Sequence, residues 1–289
     1  MKFIHMTDPH LVAPGQVLYG VDPAERLAAA VRSVCTEHPD AACVAITGDL
    51  VHSGQEAQYR ALKSALEPLP MPVHLVPGNH DERTALLGVF PDPAADEHGY
   101  IQYAVDLEDT RLLFLDTLAT GRSDGVLCEH RLAWLAQALE DSGERPVYLF
   151  MHHPPLAVGL PVMDCMALAE PERFWRTLAT YGQNVRHVFF GHLHRPLQGV
   201  INGVGFSCLP STHHQVRFDD KTKADEDIPG CHEPPAYAVV TTDARQTVVH
   251  FHNYLDTSPR FRLGDRKAAA ASSLSDLAEA MQATSDTAR

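Results

Sequence analysis

The chain has 289 residues, 45% of them hydrophobic, with a formal net charge of −14. That length and apolar share allow a packed core without staples, and the acidic balance argues against a nucleic-acid scaffold or a binder of anionic membranes, both of which need basic patches. No apolar run approaches the roughly 20 residues of a membrane span, the polar start Met1-Lys2-Phe3-Ile4-His5 is no signal-peptide core, and the six cysteines form no CxxC pair. A cytoplasmic protein with reduced thiols is the expectation.

Phe3–Met6 reads as a short strand. Asp22-Pro23-Ala24-Glu25 then predicts a helix start, with a capping Asp and Pro in the first turn, followed by Leu27, Val31 and Val34 on one face. Cys43–Ile46 is a buried-strand run ended by Thr47-Gly48-Asp49. Ser53-Gly54-Gln55-Glu56 reads as a capping box ahead of a helix with Leu62 and Leu66 on one face. Val73–Val76 is the next strand, and Ile101–Val105 and Leu112–Leu115 can pair as a hairpin. A helix around Leu132, Leu135 and Leu139 follows, then strands at Val147–Met151 and Val188–Phe190 with a helix near Phe174–Leu178 between them. Beyond about 197 the pattern turns antiparallel: Asn202-Gly203 is a hairpin-turn signal, and Tyr237–Thr241 and Val248–Phe251 form a second expected pair around an acidic loop, Asp219 to Asp227. The Ala/Ser-rich end offers one short amphipathic helix through Leu274, Leu277, Ala278 and Met281. The expected organisation is an α/β catalytic core over 1–210, a mostly β cap or oligomerisation extension over 211–266, and a loose tail over 267–289.

Five short motifs stand at the C-terminal ends of expected strands, where open α/β sheets place their ligands. They are Asp8-Pro9-His10, Gly48-Asp49, Gly78-Asn79-His80-Asp81, His152-His153-Pro154 and Gly191-His192-Leu193-His194. Each alone is a common pattern, and a lone His at a strand end is more often structural. Together they concentrate oxygen and imidazole donors of the kind that bind Zn, Mn, Fe or Co. Phosphate-ester hydrolysis calls for such a set. A metal brings the pKa of bound water down to about 7 and neutralises phosphoryl oxygens, and two metals about 3.5–4 Å apart do both. Two dications also offset the acidity of the chain locally. His5, His74, His187, His250 and His252 lie inside strands and read as structural. No partner spacing supports a further metal site at Cys231-His232.

The motif order D-x-H, G-D, G-N-H-D, H-H-P-P, G-H-x-H resembles the calcineurin-like metallophosphoesterase superfamily. More narrowly it is similar to the class III cyclic-nucleotide phosphodiesterases and the bacterial glycerophosphodiesterases, through Leu18-Tyr19-Gly20, Met151-His152-His153-Pro154-Pro155-Leu156 with Met163-Asp164, and Leu209-Pro210-Ser211-Thr212 with His214-Gln215-Val216. The resemblance covers roughly 1–217. It implies a two-sheet αββα sandwich and two divalent or mixed-valence transition metals. Asp8, His10 and His194 would hold one metal, Asn79, His152 and His192 the second, with Asp49 bridging. It implies that His80 faces the substrate and Asp81 orients it, that His153 is a neighbour of the ligands, and that Tyr19 and His214 lie over the site. Arg195, next to the last ligand, can reach a substrate oxygen or pair with a surface carboxylate. His213 has no assigned role.

The reading is a metal-dependent phosphodiesterase of small substrates, using metal-bound hydroxide as the attacking group and leaning to glycerophosphodiesters. The alternatives are 3′,5′-cyclic nucleotides as substrate, a phosphomonoesterase (which would want more basic residues than Arg122 and Arg195), and a scaffold that has lost activity. No nucleic-acid or membrane partner is expected, and a homo-oligomer is.

Overall fold

The computed structural model describes residues 1–92, 95–107, 109–223 and 227–277. By its contacts the chain forms two compact units, Met1–Tyr254 and Leu255–Arg289. The first contains two sheets. One has the order β13(Thr247–His252)–β12(Tyr237–Thr242)–β1(Lys2–Met6)–β2(Val44–Thr47)–β3(Val73–Val76), with β1, β2 and β3 parallel and β12 antiparallel to β1. The other has the order β4(Tyr103–Leu107)–β5(Thr110–Phe114)–β6(Val147–Phe150)–β7(Val185–Phe190)–β9(Val204–Cys208)–β8(Leu197–Ile201), parallel from β5 through β9 with antiparallel edges.

The strands are apolar on both faces, and their period of two explains the layering. In β1, Phe3 faces the other sheet while Ile4 and Met6 face helices. In β6, Tyr148 and Phe150 face the first sheet while Val147 and Leu149 face helices. The space between the sheets is filled by rings: Phe3, Phe114, Phe150 and Phe189 stack or meet edge to face with centroids 4.8–5.7 Å apart. Two imidazoles share this layer. His5 meets Thr47 Oγ1 at 2.8 Å and His187 meets Ser207 Oγ at 2.9 Å, and burial lowers their pKa to about 3 and about 4. They are structural, as their strand positions suggested.

Outside the first sheet lie α1 (Pro23–Glu37), α2 (Glu56–Leu66) and α3 (Arg83–Val89). Outside the second lie α4 (Glu129–Glu140), the short α5 (Pro161–Asp164) and α6 (Pro171–Tyr181). This is the αββα sandwich. Asp22 caps α1 by accepting from Ala24 N at 2.8 Å. The α2 cap sits two residues later than the sequence suggested. Gln55, not Ser53, is the N-cap, because Gln58 Oε1 reaches back to the backbone N–H of both Ser53 and Gln55 and so holds Ser53 outside the helix. Asn202 and Gly203, at φ 52° and 82°, make the expected β8–β9 turn.

Through β12 the antiparallel pair β12–β13 continues the first sheet beside β1, and Ala238 and Val240 pack in the inter-sheet core. Between the two hairpins a short ribbon forms, β10 (Gln215–Val216) with β11 (Gly230–Cys231). The acidic loop lies partly outside the described residues, at 224–226. In the second unit α7 spans Arg266–Ala269 and a helical turn spans 274–277, while Ala278 and Met281 fall outside the described residues. Among the described residues no helix is long and apolar enough to cross a membrane.

Candidate metal centre

The parallel strands deliver the motifs. Asp8 and His10 follow β1, Asp49 follows β2, Asn79 and His80 follow β3, His152 follows β6, and His192 and His194 follow β7. Asp8, His10, Asp49, His192 and His194 have φ of 52°, 46°, 45°, 68° and 48°. Left-handed backbone costs a side-chain-bearing residue about 1–3 kcal/mol and gathers at functional sites, where the surroundings impose it. Here the imposing contacts are visible. Asp8 N donates to Gly48 O at 3.1 Å and His10 N to Asp49 O at 2.9 Å, lacing two motif loops together, and Ser211 Oγ donates to Asp8 O at 2.7 Å. Glycine is needed where loops cross ligands. A Cβ on Gly48 (φ 85°) would lie 2.4 Å from His152 Nδ1, and one on Gly78 would lie 2.3 Å from Asp49 Oδ1.

Two clusters of donor atoms result. In the first, His10 Nε2 lies 3.2 Å from His194 Nε2 and 3.5 Å from Asp49 Oδ2, and His194 Nε2 lies 3.2 Å from Asp8 Oδ1. In the second, His152 Nε2 lies 3.0 Å from Asn79 Oδ1 and 3.4 Å from Asp49 Oδ1, and the His192 ring is 5.1 Å from that of His152. Asp49 reaches both clusters, one carboxylate oxygen to each. All but Asn79 are buried or nearly so.

This donor set fits metal ions on three observations. His152 Nδ1 donates to Thr47 O and His194 Nδ1 to His214 O, both at 2.8 Å, which leaves each Nε2 lone pair aimed inward. His192 Nε2 is buried without a hydrogen-bond partner among the described residues, an expensive arrangement for a polar atom. The protonation balance also suits cations. Burial drives His10 and His192 well below the ordinary imidazole value, with neighbouring imidazoles adding to the effect. Burial would raise Asp8, but His194, His152 and the Thr7 hydroxyl hold it below the usual carboxylate range.

His80 stands at the edge of this centre, its Nε2 4.0 Å from Asp49 Oδ2, with its Nδ1 donating to His52 O at 2.8 Å. Asp81 was expected to orient it and faces elsewhere. Its carboxylate accepts from the backbone N–H of Leu50, Val51 and Gly78 and from Tyr59 Oη, at 2.8–3.3 Å. It is a brace that ties the Asp49 loop to the Asn79 loop, and burial followed by the charge of Asp49 raises its pKa to about 7. His52 takes the orienting role through its carbonyl. His153 is buried beside His152 and His192, with Nδ1 2.8 Å from Thr117 Oγ1. Arg195 does not reach toward the centre. It donates to Val216 O at 2.8 Å, pairs with Glu233 at 3.2 Å and lies over the Phe218 ring, so it staples the β10–β11 ribbon. His213 meets His214 at 2.9 Å and Val21 O at 3.2 Å, and Arg26 donates to its carbonyl.

A cavity of about 430 Å³ opens above the donors, within the roughly 300–1,000 Å³ typical of small-molecule sites. Its floor is His10, Asp49, Asn79, His80, His192 and His194. Tyr19 and His214 meet at its lip with ring centroids 4.7 Å apart and planes inclined by 59°. The remaining wall was not foreseen as a wall. It is formed by Met163, Met166, Val216 and Ile228 with Ser123, Cys231 and His232, and by His52 at the foot. Among the described lining residues there is no Lys or Arg, and the one carboxylate is Asp49. The signal for His52 was its place three residues after Asp49; the apolar wall carries no motif.

The profile of calcineurin-like phosphoesterases matches residues 1–196. A Rhodopseudomonas palustris protein named probable cyclic nucleotide phosphodiesterase is 44% identical over 92% of this chain and 97% of its own. An Enterobacter lignolyticus protein named glycerophosphodiester phosphodiesterase is 33% identical, over 80% of this chain and 85% of its own. Among solved structures, a dimetal phosphatase from Danio rerio shares the fold with a TM-score of 0.65, at 17% identity, over 89% of this chain and 97% of that one.

Proposed function

The chain belongs to the calcineurin-like phosphoesterase family, and from that premise we propose that it is a two-metal hydrolase of small phosphodiesters, with 3′,5′-cyclic nucleotides as the preferred class. Asp8, His10 and His194 would hold one cation, Asn79, His152 and His192 the other, with Asp49 shared. Imidazole, amide and carboxylate donors suit Mn, Fe, Co or Zn. When bound, the two cations supply a nucleophile at neutral pH and charge neutralisation on the phosphoryl group. The protein's own part is to orient. His80, fixed at Nδ1 by the His52 carbonyl, aims Nε2 over the centre, where it can hold or protonate an oxygen of the scissile group. The wall of the cavity then receives the ester substituent and keeps water from it.

The observation that carries the substrate class is the chemistry of that wall. A phosphomonoester carries more charge than a diester, yet among the described residues no Lys or Arg lines the cavity. The two candidates are committed elsewhere, Arg122 to Asp124 and Arg195 to Glu233. An ammonium-bearing glycerophosphodiester headgroup would find no carboxylate beyond Asp49 among the described lining residues. A nucleobase would find Met163, Met166, Val216 and Ile228, and thioether and aliphatic surfaces pack well on aromatic rings. The wall therefore favours the cyclic-nucleotide alternative over the glycerophosphodiester leaning. The 44% relative supports the same reading by its name. The test is kcat/KM for cyclic AMP against glycerophosphoethanolamine at equal metal loading. A preference for cyclic AMP of about tenfold or more is expected; the reverse preference would return the substrate to the glycerol diesters.

A further inference from the structure

His52 stands outside the assigned ligand set and yet belongs to the cavity. Its ring stacks on that of His80, with centroids 5.1 Å apart and planes inclined by 24°, and it lines the cavity foot. Its Nδ1 is buried without a hydrogen-bond partner among the described residues. One nitrogen from each of His10, His52 and His80 lies within 4.8 Å of the others. Two N–H groups can share one oxygen when their nitrogens are up to about 6 Å apart, at ordinary hydrogen-bond lengths of about 2.9 Å. His10 is committed to the first donor cluster. His80 spends its Nδ1–H on the His52 carbonyl, which leaves its Nε2 alone to face the cavity. A non-bridging oxygen of a phosphodiester has lone pairs for more than one N–H donor. The ring that can supply a second donor at this spot is that of His52.

We propose that His52 is a substrate-binding residue whose imidazole N–H donates to a non-bridging phosphoryl oxygen, beside His80. The inference rests on the reading of this cavity as a phosphodiester site. It separates two jobs within one residue: the backbone carbonyl of His52 orients His80, and its side chain holds the phosphate.

The test uses the metal-loaded full chain and inorganic phosphate as the probe, followed by calorimetry, with metal content measured on each preparation. His52→Ala removes the ring, His52→Phe keeps a ring to stack on His80 but has no N–H, and His52→Gln keeps an N–H donor on a side chain of similar length. Phosphate affinity should fall roughly tenfold in both His52→Ala and His52→Phe, with metal content unchanged, and return to within about threefold of wild type in His52→Gln. Wild-type affinity in His52→Phe would reduce the side chain to packing and overturn the proposal. Metal loss in His52→Ala would make His52 a ligand and overturn it as well. If the wild-type protein itself fails to bind phosphate, the reading of the cavity fails; if it binds and all three variants bind equally, only the role of His52 does.

Discussion

The floor and the wall of the cavity are built by opposite means. The floor is strained and cross-laced: four of its six residues, and Asp8 with them, hold left-handed backbone, and Gly48 and Gly78 leave no room for a methyl group beside His152 and Asp49. The wall comes from the short β10–β11 ribbon, from α5 and the residue Met166 just beyond it, and from the lip at Tyr19, which is 64% exposed. Ile228 in that wall is 45% exposed. A rigid floor fixes chemistry, since donor positions must hold to a fraction of an ångström. A wall of exchangeable apolar groups sets which substituent rides above it, and it can change while the floor stays.

The widest gap between the two should come from a methyl group on the floor. Gly48→Ala combines an unfavourable φ with a 2.4 Å approach to His152. It should displace that imidazole and lower turnover by ~10² or more, with loss of metal visible by elemental analysis. Near-normal activity would show the floor to be softer than its contacts suggest.

A floor residue that is no ligand should behave differently. His80→Ala should lower kcat by ~10²–10⁴ while metal content holds, and by less on substrates with good leaving groups such as nitrophenol. An equal loss on good and poor leaving groups would remove the acid role and leave only positioning.

The wall should give smaller and substrate-selective effects. Met163→Ala should lower kcat/KM for cyclic AMP by about tenfold and leave a glycerol diester nearly unchanged, since one hydrophobic contact discriminates by roughly that much. An equal loss on both would place Met163 in support of the floor.

The same contrast explains what could be read from the chain. Floor residues announce themselves, because each must be one of a few donor types and must sit where a parallel strand ends. Asp8, Asp49, Asn79, His152 and His192 were therefore visible as a pattern before any contact was known. Strand runs alternating with helix signals pointed to an α/β core, and the two-sheet sandwich was what the family resemblance implied. Contacts made between motifs were not visible. Asp81 lies beside His80 in sequence but turns back to brace the Leu50 loop, and the His52 carbonyl orients His80 from a different strand end. The wall was hidden for a different reason: apolar side chains drawn from distant segments look like core residues until the cavity is known. β12 was recognised as a strand, but its place beside β1 joins positions 241 and 2, a pairing that no local pattern encodes.

The β8 edge and the β13 edge end their sheets without a further strand among the described residues, and Val200 on β8 is 73% exposed. Such edges call for cover. Light scattering is expected to report a species larger than the 31.7 kDa chain; a monomer at working concentration would contradict the expectation that these edges are covered by another copy.

The central claim is that Asp49 joins two metal sites into one centre. Elemental analysis of purified wild-type protein and of Asp49→Ala, both checked for native secondary structure, tests it most directly. The account predicts about two metal ions per wild-type chain, and loss of both with loss of turnover in Asp49→Ala, since each of its carboxylate oxygens faces one cluster. Two ions retained in the folded variant would contradict it.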